Sequence, residues 1–254
     1  MQPQTYFQNF YKNRRVLVTG HTGFKGSWLA QWLHMMGADV LGLSLDPPST
    51  PSMFQALRME EFINSHHVDI NDFSLLFKSI QDFQPEVVMH LAALSLVRPS
   101  YKEPLPTLNT NIMGTANLLE ACRLTPSVRS IVIVTSDKCY RNNEWVWGYR
   151  ENDPMGGYDP YSASKGCAEL VTAAYIKSFF NQAEYGKAHH TAVASARAGN
   201  AIGGGDWGLD RLIPDCFRAL HQGKSIHIRF PSAVRPWQHV MECLSGWPST
   251  LSEI

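Results

Sequence analysis

Short, almost continuous apolar runs alternate along this chain with stretches whose apolar residues recur every three or four positions. RVLVTG, DVLGLSLD, EVVMHLAA and SIVIVTSD are strand-like, and SWLAQWLHMMGA, FSLLFKSIQDF and TANLLEACRL fall between them with helical spacing. Apolar runs without strict alternation suit strands covered on both faces. The alternation of the two patterns therefore predicts a parallel sheet wrapped by helices, the Rossmann-type doubly wound α/β class. AELVTAAYIKSFF and TAVASARAGNAIG extend the rhythm to about residue 203. Beyond it the texture changes to GGGDWG and RFPSAVRPWQHV, rich in Gly, Pro and Trp, which predicts a smaller, irregular lobe. The division expected is one domain over residues 1–200 and a C-terminal lobe over residues 201–254.

Composition narrows the partners. The 254 residues, 44% hydrophobic and 17% charged, suffice for a substantial core. Twenty-two basic residues balance 22 acidic ones, so no net field draws the chain to nucleic acid or to an anionic membrane, and a small-molecule partner is expected. The first 20 residues lack the apolar segment of a signal peptide, and no later run approaches a membrane span, which predicts a cytoplasmic protein. Five scattered cysteines (Cys122, Cys139, Cys167, Cys216, Cys243) without a C-x-x-C pair suit a reducing compartment and read as mostly buried thiols.

Ligands of such sheets bind at the carboxyl ends of the strands. In VTGHTGFKGSWL, Gly20, Gly23 and Gly26 follow a strand and open a helix, where backbone amides can hold a pyrophosphate. Asp46 ends the second strand, 20 residues after Gly26, where a carboxylate takes ribose hydroxyls and repels a 2′-phosphate, so NAD is expected as the cofactor. Asp69 and Ile70 follow a third short strand, where adenine could rest. Tyr161 and Lys165 lie four residues apart on one helical face, a spacing at which the ammonium would lower the phenol's pKa. Ser136, at the end of an apolar strand, offers a hydroxyl upstream of them. Each feature has a plainer reading: an ordinary strand-to-helix turn, an Asp before Pro47 and Pro48, a surface Tyr/Lys pair. Their occurrence together in this order favours a dinucleotide site. His66–His67 and His189–His190 lack further ligands at metal spacing and read as loop residues, and Trp145 and Trp147 as packing under a lid.

These motifs carry a resemblance. Gly-x-x-Gly-x-x-Gly, HLAA at 90–93, NIMGT at 111–115, the Ser at a strand end and Tyr-x-x-x-Lys together resemble the extended short-chain dehydrogenase/reductase superfamily. Within it, GHTGFKGSWL, TSDKCY, EWVWGYREND, GGYDPYS, SKGCAEL, RAGNAIGGGDW and RPWQHV are similar to the CDP-glucose 4,6-dehydratases, over residues 11 to 247. The resemblance implies tightly bound NAD held by Gly20, Thr22, Gly23, Phe24, Gly26, Asp46, Asp69, Ile70, Leu91, Ala92, Ala93, Asn111, Tyr161 and Lys165. It implies a reaction in three steps: oxidation at C4 of the sugar, loss of water across C5 and C6, and return of hydride to C6. Ser136, Asp137, Lys138, Tyr161 and Lys165 are the catalytic candidates, with Tyr161 kept ionised by Lys165 and the nicotinamide charge, Asp137 as the acid and Lys138, its pKa lowered by burial and the nearby Lys165 cation, as the base. Related dehydratases have Asp-Glu where this chain has Asp137-Lys138. Arg98, Arg211 and Arg235 are implied near the diphosphate, since guanidinium forks match phosphate oxygens, with Asn200 as a further substrate contact.

Two departures accompany the resemblance. Leu94-Ser95 stands where relatives have Gln-Pro. The resemblance also stops at PSTLSEI, where relatives continue through another strand, and Pro248 is expected to break the last helical pattern; both predict an incomplete, truncated substrate lobe. Two rival readings stay open: a nucleotide-sugar epimerase or reductase of the same superfamily, for which Asp137-Lys138 would be superfluous, and a non-catalytic NAD-binding remnant. A homodimer packed through the helices bearing TANLLEACRL and SKGCAELVTAAYIKSFF is the assembly the superfamily implies.

Overall fold

The structure, a computed structural model, describes residue 7 and residues 9–252. Six strands form one parallel sheet: β1 (Arg15–Thr19), β2 (Asp39–Ser44), β3 (Asn64–His67), β4 (Val87–His90), β5 (Ser130–Val134) and β6 (Ala192–Ala196). Their spatial order is β3-β2-β1-β4-β5-β6, so the winding reverses between β1 and β4. Helices α1 (Phe24–Met35) and α2 (Met53–Ala56) follow β1 and β2, α3 (Phe73–Phe83) links β3 to β4, and α4 (Val97–Lys102), α5 (Pro104–Leu108) and α6 (Gly114–Arg123) link β4 to β5. The long α7 (Pro160–Ser178) precedes β6. This is the doubly wound architecture that the alternating pattern predicts.

The strands are apolar throughout because both faces are covered. Val16, Val18, Val132 and Val134 point to one side and join Leu29, Ala30 and Leu33 of α1. Leu17, Ile131 and Ile133 point to the other and join Leu76 and Ile80 of α3 and Leu118 and Leu119 of α6. Successive residues of a strand face opposite sides, so one five-residue run serves two cores. Helix starts follow local signals. Asp72 caps α3 by accepting the Leu75 amide at 3.0 Å, and Asp159 caps α7 by accepting the Ser162 amide at 2.9 Å, with Pro160 at the first helical position.

After β6 the chain adds β7 (Ala201–Ile202), α8 (Leu212–His221), β8 (Gln238–His239) and α9 (Val240–Ser252). β7 and β8 pair in parallel as a separate two-stranded sheet. α9 returns to the main body: Val240, Cys243, Leu244 and Trp247 are buried in the same core as Val16 and Leu29. The helix runs through Pro248, where the sequence predicts a break. Its apolar residues at spacings of three, four and seven seat the first two turns, and that burial outweighs the roughly 3 kcal/mol cost of an interior proline. All five cysteines are free thiols. Among the described residues no helix is long and apolar enough to cross a membrane.

Candidate active site

The sheet reverses its winding between β1 and β4, and the carboxyl ends of those two strands open a crevice of the kind in which doubly wound sheets hold ligands. Gly20 leaves β1 with a φ of +75°, and a Cβ there would lie 2.7 Å from the Ala92 nitrogen. A Cβ on Gly26 would lie 2.0 Å from the Gly20 carbonyl oxygen, so only glycine allows the loop to fold this tightly onto the start of α1. Gly23 caps α1 without a side-chain bond, leaving the first amides of the helix directed at the loop. Asp46, just beyond β2, has a side chain 91% exposed, with His67 Nε2 3.7 Å away. A tight amide-lined turn and an exposed carboxylate after the second strand fit a dinucleotide with an unmodified adenosine ribose.

The other expected cofactor contacts occupy two situations. The Thr22 hydroxyl meets the Ser44 hydroxyl at 2.8 Å and donates to the Leu45 carbonyl at 3.0 Å, closing the loop onto β2. Phe24 is half-buried against the core. Asp69 accepts both the backbone and side-chain N–H of Asn71 at 2.9 Å. The Ile70 side chain is buried against Gly114 of α6, so it serves packing. The amides of Leu91 and Ala92 both reach the Thr19 hydroxyl at 3.2 Å; Ala93 is half-buried beside them. Asn111 is committed within the protein, accepting the Leu94 amide at 2.9 Å and donating to the Leu94 carbonyl at 3.0 Å and the Ser164 hydroxyl at 2.8 Å.

β5 delivers the other half of the site. Ser136 begins a single 3₁₀ turn over Asp137–Cys139; its hydroxyl donates to Asp137 Oδ1 at 2.9 Å and accepts the Lys138 amide at 3.2 Å. The Asp137 amide donates to the Ala198 carbonyl at 3.2 Å, which ties the turn to the end of β6. Tyr161, in the first turn of α7, lies beside Ser136. Burial pushes the phenol up to about 12, the nearby Ser136 hydroxyl opposing it and the Asp137 charge adding to it. Lys165, one turn on, donates from Nζ to the Val134 carbonyl at 3.3 Å. Burial and the Lys25 cation bring its ammonium down to about 8.

Burial by itself raises the Tyr161 phenol, so its ionisation there calls for opposing cations, Lys165 and a nicotinamide ring. The cation with the largest effect on Lys165 is Lys25. Lys25 lies inside the glycine motif, where sequence reading attends to the glycines and passes over the residues between them. Burial holds its ammonium below the usual lysine range, with the Cys243 thiol, Arg211, Asp137 and Asp206 around it.

The three arginines expected at the diphosphate are dispersed. Arg98 pairs with Asp210 at 2.8 Å, and Arg229, which the sequence did not single out, shares the same carboxylate at 3.0 Å. Arg98, Asp210 and Arg229 line a 450 Å³ cavity beside α8. Arg211 grips both oxygens of Asp206 at 3.0 Å and reaches the Ser95 hydroxyl at 3.4 Å. Arg235 is exposed, and its side chain donates to the neighbouring Val234 carbonyl at 2.7 Å. The Asn200 carbonyl accepts the Gln238 amide at 3.0 Å and joins β7 to β8.

Comparison with known proteins places this arrangement. The family described as GDP-mannose 4,6 dehydratase matches residues 17–252. The CDP-glucose 4,6-dehydratase of Salmonella typhimurium is 56% identical over 240 residues, 94% of this chain and 67% of that protein. A GDP-mannose 4,6-dehydratase of Sordaria araneosa is 32% identical over 92% of this chain and 42% of its own length. Among solved structures, dTDP-glucose 4,6-dehydratase from Streptomyces venezuelae, crystallised with NAD, superposes with a TM-score of 0.80 at 25% identity, covering 94% of this chain and 72% of that one.

Proposed function

This chain belongs to the GDP-mannose 4,6-dehydratase family, and on that premise we propose that it is an NAD-dependent hydro-lyase converting CDP-glucose to CDP-4-keto-6-deoxyglucose. The observation that carries the assignment is the Asp137-Lys138 turn beside Tyr161 and Ser136. An acid and an amine next to an oxidation centre suit elimination; an epimerase or reductase needs neither. The 56% identity to the Salmonella enzyme favours CDP-glucose over other nucleotide sugars.

NAD, held by the Gly20–Gly26 turn and Asp46, supplies a hydride acceptor for C4 and afterwards the donor for C6. Tyr161 takes the proton of the C4 hydroxyl, with Ser136 sharing its hydrogen bond. The resulting C4 ketone acidifies the C5 hydrogen. Lys138 removes that proton, and Asp137 protonates the C6 hydroxyl as it departs as water. The proton held by Lys138 then returns to C5 as C6 is reduced, leaving the 4-keto-6-deoxy sugar, and the proton that Tyr161 took from the C4 hydroxyl passes by way of Ser136 to Asp137 to replace the one given to water, so that each side chain is restored. Lys165 supports Tyr161 from one helical turn away. Arg98 and Arg229 at the cavity, and Arg211 near Ser95, are the cations available to the diphosphate.

The assembly and place follow the same reading: a cytoplasmic homodimer packed through α6 and α7, where Met113, at the threshold of α6, and Leu170 of α7 present apolar surface to solvent. The test of the function is direct. The purified chain with NAD and CDP-glucose yields CDP-4-keto-6-deoxyglucose, identified by mass and by its 4-keto chromophore in base; formation of CDP-galactose, or no product, overturns the assignment.

A further inference from the structure

A buried ion pair lies between the two halves of this chemistry. Glu169 of α7, one turn beyond Lys165, is 6% exposed. Its Oε1 accepts Arg197 Nε at 2.9 Å and the Thr135 hydroxyl, and its Oε2 accepts Arg197 Nη2 at 2.9 Å and the Ser195 hydroxyl at 2.8 Å. Burial alone would raise this carboxyl, but the bonds from Arg197, Thr135 and Ser195 reverse the effect and hold it below the usual range, so it stays ionised. The remaining amine of the fork, Nη1, donates to the Tyr140 hydroxyl at 2.8 Å and to the Glu151 carbonyl at 2.9 Å. The guanidinium also lies 4.9 Å over the Tyr140 ring. From there an aromatic column continues outward: Tyr140 stacks on Tyr149 at 5.0 Å, Tyr149 meets Trp145 at 5.4 Å, and Trp145 stacks on Trp147 at 5.3 Å.

These contacts add a buried, charged link between two elements that also meet through Lys165 and the Val134 carbonyl. α7 is capped by Asp159 and packed along its length. The Ser136–Cys139 turn and the irregular segment after it are tied down by few backbone bonds, including Asp137 to Ala198, Gly156 to Cys139 and Arg141 to Pro154. Thr135 immediately precedes the turn and Tyr140 immediately follows it, and both end on the Glu169–Arg197 pair. A planar fork that engages a carboxylate on one edge and a phenol on the other fixes a distance that a point charge would not.

We propose that Arg197, seated on Glu169, is a positioning residue for the elimination step: through Tyr140 it sets the Asp137-Lys138 turn against the helix that carries Tyr161. This rests on the roles given above to Asp137 and Lys138. Oxidation rests chiefly on Tyr161 and α7, with Ser136 of the turn only assisting, and needs the link less; elimination needs two groups of the turn placed on opposite ends of the C5–C6 bond. A misplacement of about 1 Å is enough to cost on the order of 10²-fold in such a step.

The test uses Arg197→Lys, which keeps a cation for Glu169 but loses the fork, and Tyr140→Phe, which removes one hydroxyl and leaves the stack, so a folded variant is available even where the first is unstable. In single turnovers of NAD-loaded protein with CDP-glucose, NADH should appear at nearly the parent rate, whereas the 4-keto-6-deoxy product should form at least about tenfold more slowly, so that NADH accumulates. Equal slowing of both steps, or of neither, overturns the proposal. Hydrogen exchange without substrate provides the second readout: amides of 136–156 should exchange faster in both variants, with 161–172 unchanged. Unchanged exchange in 136–156 overturns the link whatever the substrate, while a parent chain inert towards CDP-glucose, with the turn loosened in the variants, upholds the link and overturns the assigned reaction.

Discussion

The ammonium of Lys165 donates to the main-chain carbonyl of Val134 at 3.3 Å, so the helix that carries the phenol is fastened to the strand that ends in the Ser-Asp-Lys turn. This one bond spans the two elements whose relative position defines the site. It also takes Lys165 down to the strand floor, where burial and Lys25 lower its pKa to about 8 while Tyr161 is raised to about 12.

The rate of C4 oxidation should therefore depend on pH in a specific way. Tyr161 as a base is competent only as phenolate, whose fraction grows tenfold per pH unit below its pKa, and the charge of Lys165 is retained up to about 8. The first-turnover NADH signal should rise with a slope near one in log rate through neutrality and level off near the point where Lys165 titrates. Tyr161→Phe should lower that rate by at least about 10² while leaving NAD bound, in line with the usual worth of a general base. A flat profile in the parent chain, or a smaller loss in the variant, would contradict the role.

Lys138→Ala should separate the steps. With the amine proposed as the base gone and Tyr161, Ser136 and Lys165 intact, bound NADH should accumulate on mixing with CDP-glucose, no 4-keto-6-deoxy product should form, and solvent deuterium should not enter C5. Wild-type product formation would reduce Lys138 to a bystander, and loss of the NADH signal would move it to the oxidation step.

Asp46 should govern the choice of dinucleotide. Its carboxylate stands exposed beyond β2, where a 2′-phosphate would meet like charge. Titration by Trp fluorescence should show NAD binding at least about tenfold tighter than NADP, and Asp46→Ala should narrow that gap mainly by improving NADP. Equal affinities in the parent chain would refute the assignment.

Two buried histidines should make the fold sensitive to acid. Burial lowers His21 to about 4, with a smaller contribution from His66, and His90 to about 3, with a contribution from Lys165, against 6.5 for both when unfolded. Below 6.5 the unfolded chain binds protons that the folded chain refuses, so the stability these neutral rings contribute is complete above 6.5 and is lost as pH falls towards 4 and 3. Each ring accounts for at most about 1.4 kcal/mol per pH unit in that window. Urea midpoints between pH 7 and 5 should decline accordingly, and His90→Asn should start less stable but show a shallower decline. An equal slope in the variant would mean that His90 titrates normally.

What the sequence determined by itself is local and periodic. Five-residue apolar runs sufficed for strands buried on both faces, as Val16 and Leu17 show by facing opposite cores. Asp72 and Asp159 marked helix starts because a cap acts within three residues, and the Gly20–Gly26 turn was legible because a close approach of backbone admits no side chain. Tertiary structure decided everything that depends on distant partners or on desolvation. Periodicity holds nothing that brings Arg98 to Asp210, 112 residues away, or Arg197 to Glu169 and Tyr140 at once. The titration of Tyr161 needs the tertiary structure for the same reason: spacing along a helix reports which charges are near, whereas the cost of burying a phenolate is set by all the chain folded around it. Even Pro248, a helix breaker by its own chemistry, lies within α9 because Leu244 and Trp247 are seated in a core assembled from the other end of the chain.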